Sequence, residues 1–163
     1  MPLSEWSHKR SNIEIEEYTI NEPTYALLMA VSAAVGVEHA KVYKKSVNIE
    51  KFPRYAAELR DKAAGRKLCI FMDNLSVHRS KKVLGKLDEL GIRYIFNLSY
   101  SPQYNPIEFT FSKIKQSFKV QRLESIARGM KPNIHTLIHR AVKKVTTEDV
   151  VNCIRHSKEA LSS

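Results

Sequence analysis

The sequence predicts an α/β domain in which a mixed sheet is flanked by helices. Its 163 residues suffice for one domain with a substantial core, so residues 1–163 are predicted to form a single domain. An apolar fraction of 43% and a charged fraction of 27% are ordinary for a globular protein. In the centre of the chain, strand-like and helix-like runs alternate. This order is typical of parallel strands joined by right-handed crossovers.

The N-terminal part predicts strands. Residues 1–12 are polar and irregular, and residues 13–20 alternate only in part between apolar and polar side chains, which is weak evidence for a strand. Residues 24–35 are almost wholly apolar and predict a central strand. Residues 39–47 predict its neighbour, a strand or hairpin partner.

A helix is predicted over residues 49–64, with Asn48 as its N-cap and Gly65 at its end. Pro53 falls near its first turn, where a missing N–H costs little. The inner face is apolar and consists of Phe52, Tyr55, Ala56 and Leu59.

Two short apolar runs predict the parallel strands. Residues 68–72 have the pattern of a strand buried on both faces, and Cys69 within this run is predicted to be a small core residue. A helix over residues 80–90 and a second buried strand over residues 92–98 follow. Beyond a rigid loop at residues 99–105, three helices are predicted, over residues 106–123, 133–144 and 147–161.

The formal net charge is +10, and it is unevenly placed. Residues 73–163 hold 16 basic and 8 acidic side chains, and between Phe109 and Thr147 there are nine basic residues and one acidic residue, Glu124. A concentrated excess of this kind suits a polyanion such as nucleic acid. The alternative is a globular protein with an ordinary basic surface.

Several other classes of function are disfavoured. The longest nearly apolar stretch, residues 25–37, is too short to span a bilayer, and no secretory signal is visible, so we expect no membrane partner. Cys69 and Cys153 stand far apart and outside any C-x-x-C pair, which favours a reducing compartment over a disulfide framework or a zinc site. The five glycines are isolated, so there is no phosphate-binding glycine loop.

Two carboxylates lie at positions where an α/β sheet exposes side chains that can bind ligands or catalyse a reaction. Asp73 ends the apolar run 68–72, and Glu108 opens the long helix, with thirty-four residues between them. Each also has a structural interpretation. Asp73 is a common turn residue, and Glu108 is the N3 residue of a capping box in which Asn105 is the N-cap and Pro106 the first helical residue.

Helical spacing places Glu108 on a face with Ser112 and three cations, Lys115, Lys119 and Arg122. The opposite stripe is apolar and is predicted to pack on the sheet: Ile107, Phe111, Ile114 and Phe118. A carboxylate beside a row of cations is typical of a metal site next to a phosphate track, and a solvated basic face is the alternative. Two divalent ions about 4 Å apart can activate water or a 3′-hydroxyl and stabilise a leaving oxygen.

The motifs around both carboxylates resemble a known family. Phe71-Met72-Asp73-Asn74 with His78 resembles the second catalytic block of mariner-like transposases and their bacterial insertion-sequence relatives. Tyr100-Ser101-Pro102-Gln103-Tyr104-Asn105-Pro106-Ile107-Glu108 resembles the third block, usually Y-S-P-x-L-N-P-I-E, with Tyr104 in place of leucine. The spacing of thirty-four also matches a pattern of this superfamily.

The resemblance implies a ribonuclease H-like fold and an Asp-Asp-Glu triad that binds two Mg²⁺ or Mn²⁺ ions for DNA strand cleavage and transfer. Asp73 and Glu108 would be the second and third members, with Asn74, His78, Asn105 and Pro106 as motif neighbours. The implied partners are transposon-end and target DNA and a homodimer or larger transposase assembly, in a bacterial nucleoid or a eukaryotic nucleus. Seven basic residues near the motifs are the predicted DNA contacts: Arg79, Lys81, Lys82, Lys113, Lys115, Lys119 and Arg122.

One member of the triad has no counterpart. The family's first Asp lies on a first strand upstream of a segment resembling Trp6-Ser7-His8-Lys9-Arg10, and this chain has no Asp before Asp61, which falls in a predicted helix. Three residues after that segment are candidate stand-ins: Glu14, Glu16 and Glu17. We therefore expect a C-terminal portion of a transposase catalytic domain that lacks its first strand and its N-terminal helix-turn-helix region. Such a domain is expected to be weakly active or inactive alone, and the alternative is a non-catalytic DNA-binding or assembly protein derived from it.

Overall fold

A computed structural model describes residues 24–162. The weak strand predicted over residues 13–20 and the three candidate glutamates lie outside this range. The described chain forms the following elements: β1 (Tyr25–Ser32), β2 (Gly36–Lys44), α1 (Lys51–Lys62), β3 (Cys69–Met72), α2 (Lys81–Glu89), β4 (Arg93–Phe96), a 3₁₀ turn (Pro102–Tyr104), α3 (Pro106–Ala127), α4 (Ile134–Lys143) and α5 (Thr147–Ser162). None of the described helices is long and apolar enough to cross a bilayer.

Strands β1 and β2 form an antiparallel hairpin in which Tyr25 lies opposite Lys44, with a register shift between Ala30 and Val31. The hairpin turn contacts the start of α5, where the Thr147 hydroxyl donates a hydrogen bond to the carbonyl of Val35 at 3.0 Å. Gly36 has a positive φ of 86°, and a Cβ at this position would lie 2.9 Å from Thr147 Oγ1. Glycine is therefore required here both by the backbone conformation and by the close approach of α5.

Strands β3 and β4 are parallel, with Cys69 opposite Arg93 and Met72 opposite Phe96. The intervening α2 is the predicted crossover helix, and Ser80 caps it by accepting a hydrogen bond from the Val83 amide at 3.3 Å. The predicted β-α-β unit is confirmed. Together with the hairpin, it gives the mixed α/β architecture that the sequence predicted, although β1–β2 and β3–β4 are separate two-stranded sheets within residues 24–162.

The prediction that these two strands are buried on both faces was wrong. Phe71 is 43% exposed and Ile95 is 57% exposed, and Cys69, predicted to be a core residue, is also exposed. Side chains alternate between the two faces of a strand, and in β3 only Met72 is fully buried. A short apolar run cannot reveal that one of its faces will be left open.

The core consists of two clusters on opposite faces of β1. Leu27 and Met29 pack with α3 and α4, whereas Leu28 packs with α1, β3 and α2. The continuous apolar run in β1 is explained by this double coverage, as predicted for a central strand. The apolar stripe predicted for α3 is also found, since Phe111, Ile114 and Phe118 are buried.

The clearest differences between predicted and observed helix boundaries are in α1 and α3. Helix α1 begins at Lys51, two residues later than predicted, although Asn48 Oδ1 still accepts hydrogen bonds from the amides of Glu50 and Lys51. Helix α3 continues to Ala127, four residues beyond the predicted end. Its last turn has exposed apolar side chains, Leu123 and Ile126, so the buried periodicity that locates a helix is lost before the helix itself ends.

Candidate metal and nucleic-acid site at the strand ends

A cavity of about 330 Å³ lies at the carboxyl ends of β3 and β4. Asp73 directly follows β3, Asn97 directly follows β4, and Glu108 comes from the first turn of α3. The remaining lining is contributed by the two strand-end loops: Asn74, Leu75, Ser76, Leu98, Ser99, Tyr100, Ser101, Pro102 and Asn105. The two carboxylates singled out by the sequence are thus brought to one cavity, at the edge where α/β sheets collect ligands.

Asn97 holds the two loops together. Its amide donates to the carbonyl of Met72 at 2.7 Å, and its side-chain Nδ2 donates to the carbonyl of Ser101 at 2.7 Å. Asn74 Nδ2 in turn donates to the carbonyl of Asn97 at 3.1 Å and to Ser99 Oγ at 3.3 Å. Sequence reasoning missed Asn97, although it carries the same signal as Asp73, a polar residue directly after an apolar strand.

Asp73 is oriented by His78. The His78 Nδ1 lies 2.7 Å from Asp73 Oδ1 and 3.3 Å from the carbonyl oxygen of the same residue. The first distance is that of an ion pair, yet the direction of approach is poor, and the buried Oδ1 receives no hydrogen bond from the described residues. The carboxylate oxygen that contacts His78 is thus buried, while the Asp73 side chain as a whole is 20% exposed and lines the cavity.

His78 itself does not line the cavity. It is buried, and its ring packs on Phe52 with 4.8 Å between the ring centroids. The structure therefore places His78 behind Asp73 and outside the lining of the cavity.

The cap interpretation of Glu108 is only half met. Asn105 is the N-cap and its Oδ1 accepts a long hydrogen bond of 3.4 Å from the Ile107 amide, and Pro106 is the first residue of the helix. The amide of Asn105, however, donates to the carbonyl of Pro102 at 2.9 Å, so it does not bind the Glu108 side chain as a capping box requires. The Glu108 carboxylate is not used by the cap and lines the cavity instead.

Burial raises the pKa of Glu108 to about 7, and the neighbouring Asp73 charge contributes in the same direction, whereas Lys115 lowers it. The pKa of Lys115 is lowered, chiefly by burial, with Glu108 acting in the opposite direction. No ion pair joins Glu108 to a cation among residues 24–162. A carboxylate whose pKa is raised by burial and by the charge of a second carboxylate belongs to a site that an added cation would stabilise.

The donor set fits a hard divalent ion in part. Carboxylate oxygens are the ligands that Mg²⁺ and Mn²⁺ prefer, and the carboxylates of Asp73 and Glu108 both line the cavity. A third ligand is missing, since residues 24–162 contain no group of three or more His, Cys, Asp or Glu side chains able to hold a metal. Asp73 and Glu108 are therefore two candidate ligands of an incomplete site.

The seven predicted DNA contacts fall into three groups. Lys115, Lys119 and Arg122 follow Glu108 along α3, at the spacing of one helical face. The Lys113 ammonium instead lies 2.5 Å from Asp149 of α5, and Lys82 pairs with Glu50. At the start of α2, Lys81 is exposed, and the Arg79 guanidinium lies 5.9 Å from the centre of the Phe96 ring.

Comparison with known protein families gives a match over most of the chain. The sequence profile described as DDE superfamily endonuclease matches residues 4–128. No curated protein matches the chain.

Solved structures with the same fold include transposases and an integrase assembly. The catalytic domain of Mos1 mariner transposase has a TM-score of 0.55 and 15% identity, covering 90% of this chain and 80% of that one. The same domain with Raltegravir and Mg has a TM-score of 0.55 and 16% identity, covering 90% and 81%. A chain of the simian T-cell lymphotropic virus intasome in complex with PP2A regulatory subunit B56 gamma has a TM-score of 0.64 and 17% identity. It covers 80% of this chain, which in turn spans only 45% of that one.

Proposed function

The chain belongs to the DDE superfamily endonucleases, and from this premise we propose that it is a transposase-type domain in which Asp73 and Glu108 bind divalent metal for cleavage and transfer of DNA strands. The observation that carries the proposal is the shared cavity at the ends of β3 and β4. There, burial and the Asp73 charge raise the pKa of Glu108, and Lys115 offsets this increase only in part. The ribonuclease H-like fold of the Mos1 catalytic domain supports the same interpretation.

Bound Mg²⁺ or Mn²⁺ would supply positive charge that polarises a phosphodiester and favours ionisation of water or a 3′-hydroxyl. Asp73 would offer its carboxylate from the end of β3, and His78, whose Nδ1 lies 2.7 Å from Asp73 Oδ1, would hold the group from behind. Glu108 presents its carboxylate from the first turn of α3, fixed by the Asn105 cap. Lys115, Lys119 and Arg122 lie farther along the same helical face and would neutralise the phosphates of DNA bound along it.

The proposal is tested by nicking of plasmid DNA in Mg²⁺ and in Mn²⁺. Cleavage should depend on the metal and be lost in Asp73→Asn and in Glu108→Gln. Asp88→Asn in α2 and Glu124→Gln in α3 are matched controls, because both carboxylates are exposed and neither lines the cavity. Cleavage that survives both substitutions at the cavity would remove Asp73 and Glu108 from the proposed roles.

One observation favours a second candidate, a DNA-binding or assembly protein without nuclease activity. Only two of the carboxylates that such a site needs are found in the described part of the chain. This candidate expects salt-sensitive DNA binding that is unchanged by Asp73→Asn, together with no cleavage in either metal. The two candidates share the partners that we propose, transposon-end and target DNA in a transposase assembly, and they are separated by cleavage alone.

A further inference from the structure

Tyr100 lies at the rim of the strand-end cavity and has no evident role in the fold. The residue is 96% exposed, so its ring packs against almost nothing in residues 24–162. It nevertheless lines the same cavity as Asp73 and Glu108. A large aromatic side chain is thus placed beside two carboxylates without contributing to the core.

The backbone at this position does not favour a tyrosine either. Tyr100 has a positive φ of 57°, in the left-handed region. This region is uncommon for residues with a side chain and unusual for a bulky one, whereas Gly and Asn adopt it at a lower cost. Residues held in such conformations cluster at sites that bind ligands. Neither packing nor backbone conformation therefore explains the aromatic ring, and an external partner for it does.

The loop holds Tyr100 in place from both sides. Asn97 Nδ2 donates a hydrogen bond to the carbonyl of Ser101 at 2.7 Å, and Asn74 Nδ2 donates to Ser99 Oγ at 3.3 Å. The Ser101 hydroxyl donates to the carbonyl of Ser99 at 3.2 Å, which closes the turn around Tyr100. Because this backbone is already fixed, a partner can bind the ring at a small cost in conformational entropy.

The shape of the ring and the chemistry of the cavity select the partner. An exposed aromatic ring offers a flat apolar face, and Leu98, which is 66% exposed and lines the same cavity, extends the apolar surface at the rim. Among the parts of a DNA strand, the nucleobase is the one that stacks on such a face. A base paired within a duplex is already stacked on both faces, so only an unpaired base can place a face on the ring.

We propose, on the premise of the proposed nuclease function, that Tyr100 stacks on an unpaired nucleobase of the DNA strand at the Asp73 and Glu108 cavity. The stacked base positions the strand next to the two carboxylates. The site thereby distinguishes DNA that is unpaired at this point from fully paired duplex.

The test uses the full chain and two DNA probes of equal length that carry the fluorescent base analogue aminopurine. One probe has the analogue in a short single-stranded overhang, and the other has it within paired duplex. The buffer contains EDTA, so that neither metal binding nor cleavage affects the result. Tyr100→Leu should weaken binding of the overhang probe by about tenfold and remove the quenching of its fluorescence, while affinity for the paired probe changes by less than about twofold.

Three further variants separate the ring from other causes. Tyr100→Phe keeps the ring and should bind both probes as the unsubstituted chain does. Tyr100→Asn suits the positive φ, so it should unfold at no lower temperature and yet lose the quenching. Phe71→Leu is the matched control, because Phe71 is 43% exposed and lies outside this cavity, and it should change neither affinity nor quenching.

Three results would overturn the proposal: unchanged affinity and quenching in Tyr100→Leu, an equal loss of affinity for the paired probe, or a loss in Tyr100→Phe as large as in Tyr100→Leu. The first would assign the ring to a protein partner, and the third would assign the effect to the hydroxyl group. None of them bears on metal-dependent nicking. Conversely, a lack of nicking in both metals would leave the binding in EDTA unaffected, so the two proposals fail separately.

Discussion

Two clusters in residues 24–162 each contain a histidine beside a carboxylate, and the electrostatic states of their acidic groups are opposite. His39 Nε2 lies 2.9 Å from Glu58 Oε2, Lys41 binds the other oxygen of Glu58, and the Lys62 ammonium lies 2.8 Å from His39 Nδ1. The hydrogen bond from Lys41 lowers the pKa of Glu58. At the strand-end cavity, His78 contacts Asp73, but no cation pairs with the adjacent Glu108 within the described residues, and its pKa is raised to about 7.

The two clusters differ in how fully the fold balances their charge. At Glu58 the fold itself supplies the positive charge, and His39 is further fixed by stacking on Tyr55. At Glu108 and Asp73 the fold brings two acidic groups together, and Lys115 offsets the raised pKa of Glu108 only in part. A bound cation or polar ligand would stabilise such an arrangement, as the proposed function requires.

The largest expected effect is on metal-dependent nicking. Glu108→Gln should lower the rate by more than about 100-fold, because losing a metal ligand costs at least as much as losing a residue that supports one. Glu58→Gln removes a carboxylate of the same type from the other cluster and should leave the rate within about twofold, since Glu58 is 39% exposed and its surface pair contributes below about 1 kcal/mol. Equal losses of nicking rate in the two variants, measured on supercoiled plasmid, would contradict the difference proposed between the two clusters.

The second effect is on stability, and it has opposite signs in the two clusters. The folded-state pKa of Glu108 is above its ordinary value of 4.5, so the native protein binds the extra proton, and stability falls as pH rises from about 4.5 to about 7. Glu108→Gln should therefore raise the free energy of unfolding at pH 8 by up to about 3 kcal/mol relative to its effect at pH 4.

Glu58 provides the opposite case. Its folded-state pKa is lowered, so its contribution is present above the ordinary pKa and is lost as pH falls through the folded value. Glu58→Gln should thus destabilise the protein slightly at pH 7 and not at pH 2. Urea unfolding across this pH range, without divalent metal, measures the free energy of unfolding of both variants and of the unsubstituted chain. If Glu108→Gln stabilises the chain no more at pH 8 than at pH 4, the assigned pKa is contradicted.

A smaller effect is expected for the two histidines. His78→Gln should weaken Mn²⁺ binding by roughly 10-fold, because a residue that orients a ligand affects affinity by about 10–100-fold. His39→Gln should not change it. Calorimetric titration with Mn²⁺ gives the affinity directly, and an unchanged value for His78→Gln, with Asp73→Asn inactive, would make His78 a packing residue only.

The smallest effect concerns two lysines of α3. Lys119→Ala should lower the slope of log binding constant against log salt concentration by about one, as expected for one phosphate contact. Lys113→Ala should leave the slope unchanged, because Lys113 is paired with Asp149 of α5. Titrations of duplex DNA at several salt concentrations give the slope for each variant. If only Lys113→Ala lowered the slope, DNA would bind on the side of α3 that faces α5 and not on the proposed face.

Much of the site was predictable because its signals are local. Asp73 and Glu108 each stand at the boundary of an element, and boundaries are set by nearby residues such as the Asn105 cap and Pro106. The element order, the β-α-β unit and the buried stripe of α3 follow from periodicity in the same way. The specific roles of Asp73, Glu108 and the basic face remain predictions.

What the sequence did not reveal depends on distant partners. The exposure of Phe71 and Ile95 depends on which elements cover the sheet, and an apolar run in the sequence carries no information about them. The pairing of Lys113 requires Asp149, thirty-six positions away. Asn97 escaped notice because the predicted strand, residues 92–98, included it, whereas β4 ends at Phe96 and leaves Asn97 at the strand end.

The contact between Val35 and Thr147 has a consequence for the order of folding. It joins residues 112 positions apart, whereas the hairpin and the β-α-β unit are closed by much shorter loops. Closing a longer loop costs more chain entropy, so contacts of this kind form after the local ones. We expect the hairpin to form early, with Gly36 in its left-handed conformation. The contact of its turn with the start of α5 should be one of the last to form during folding.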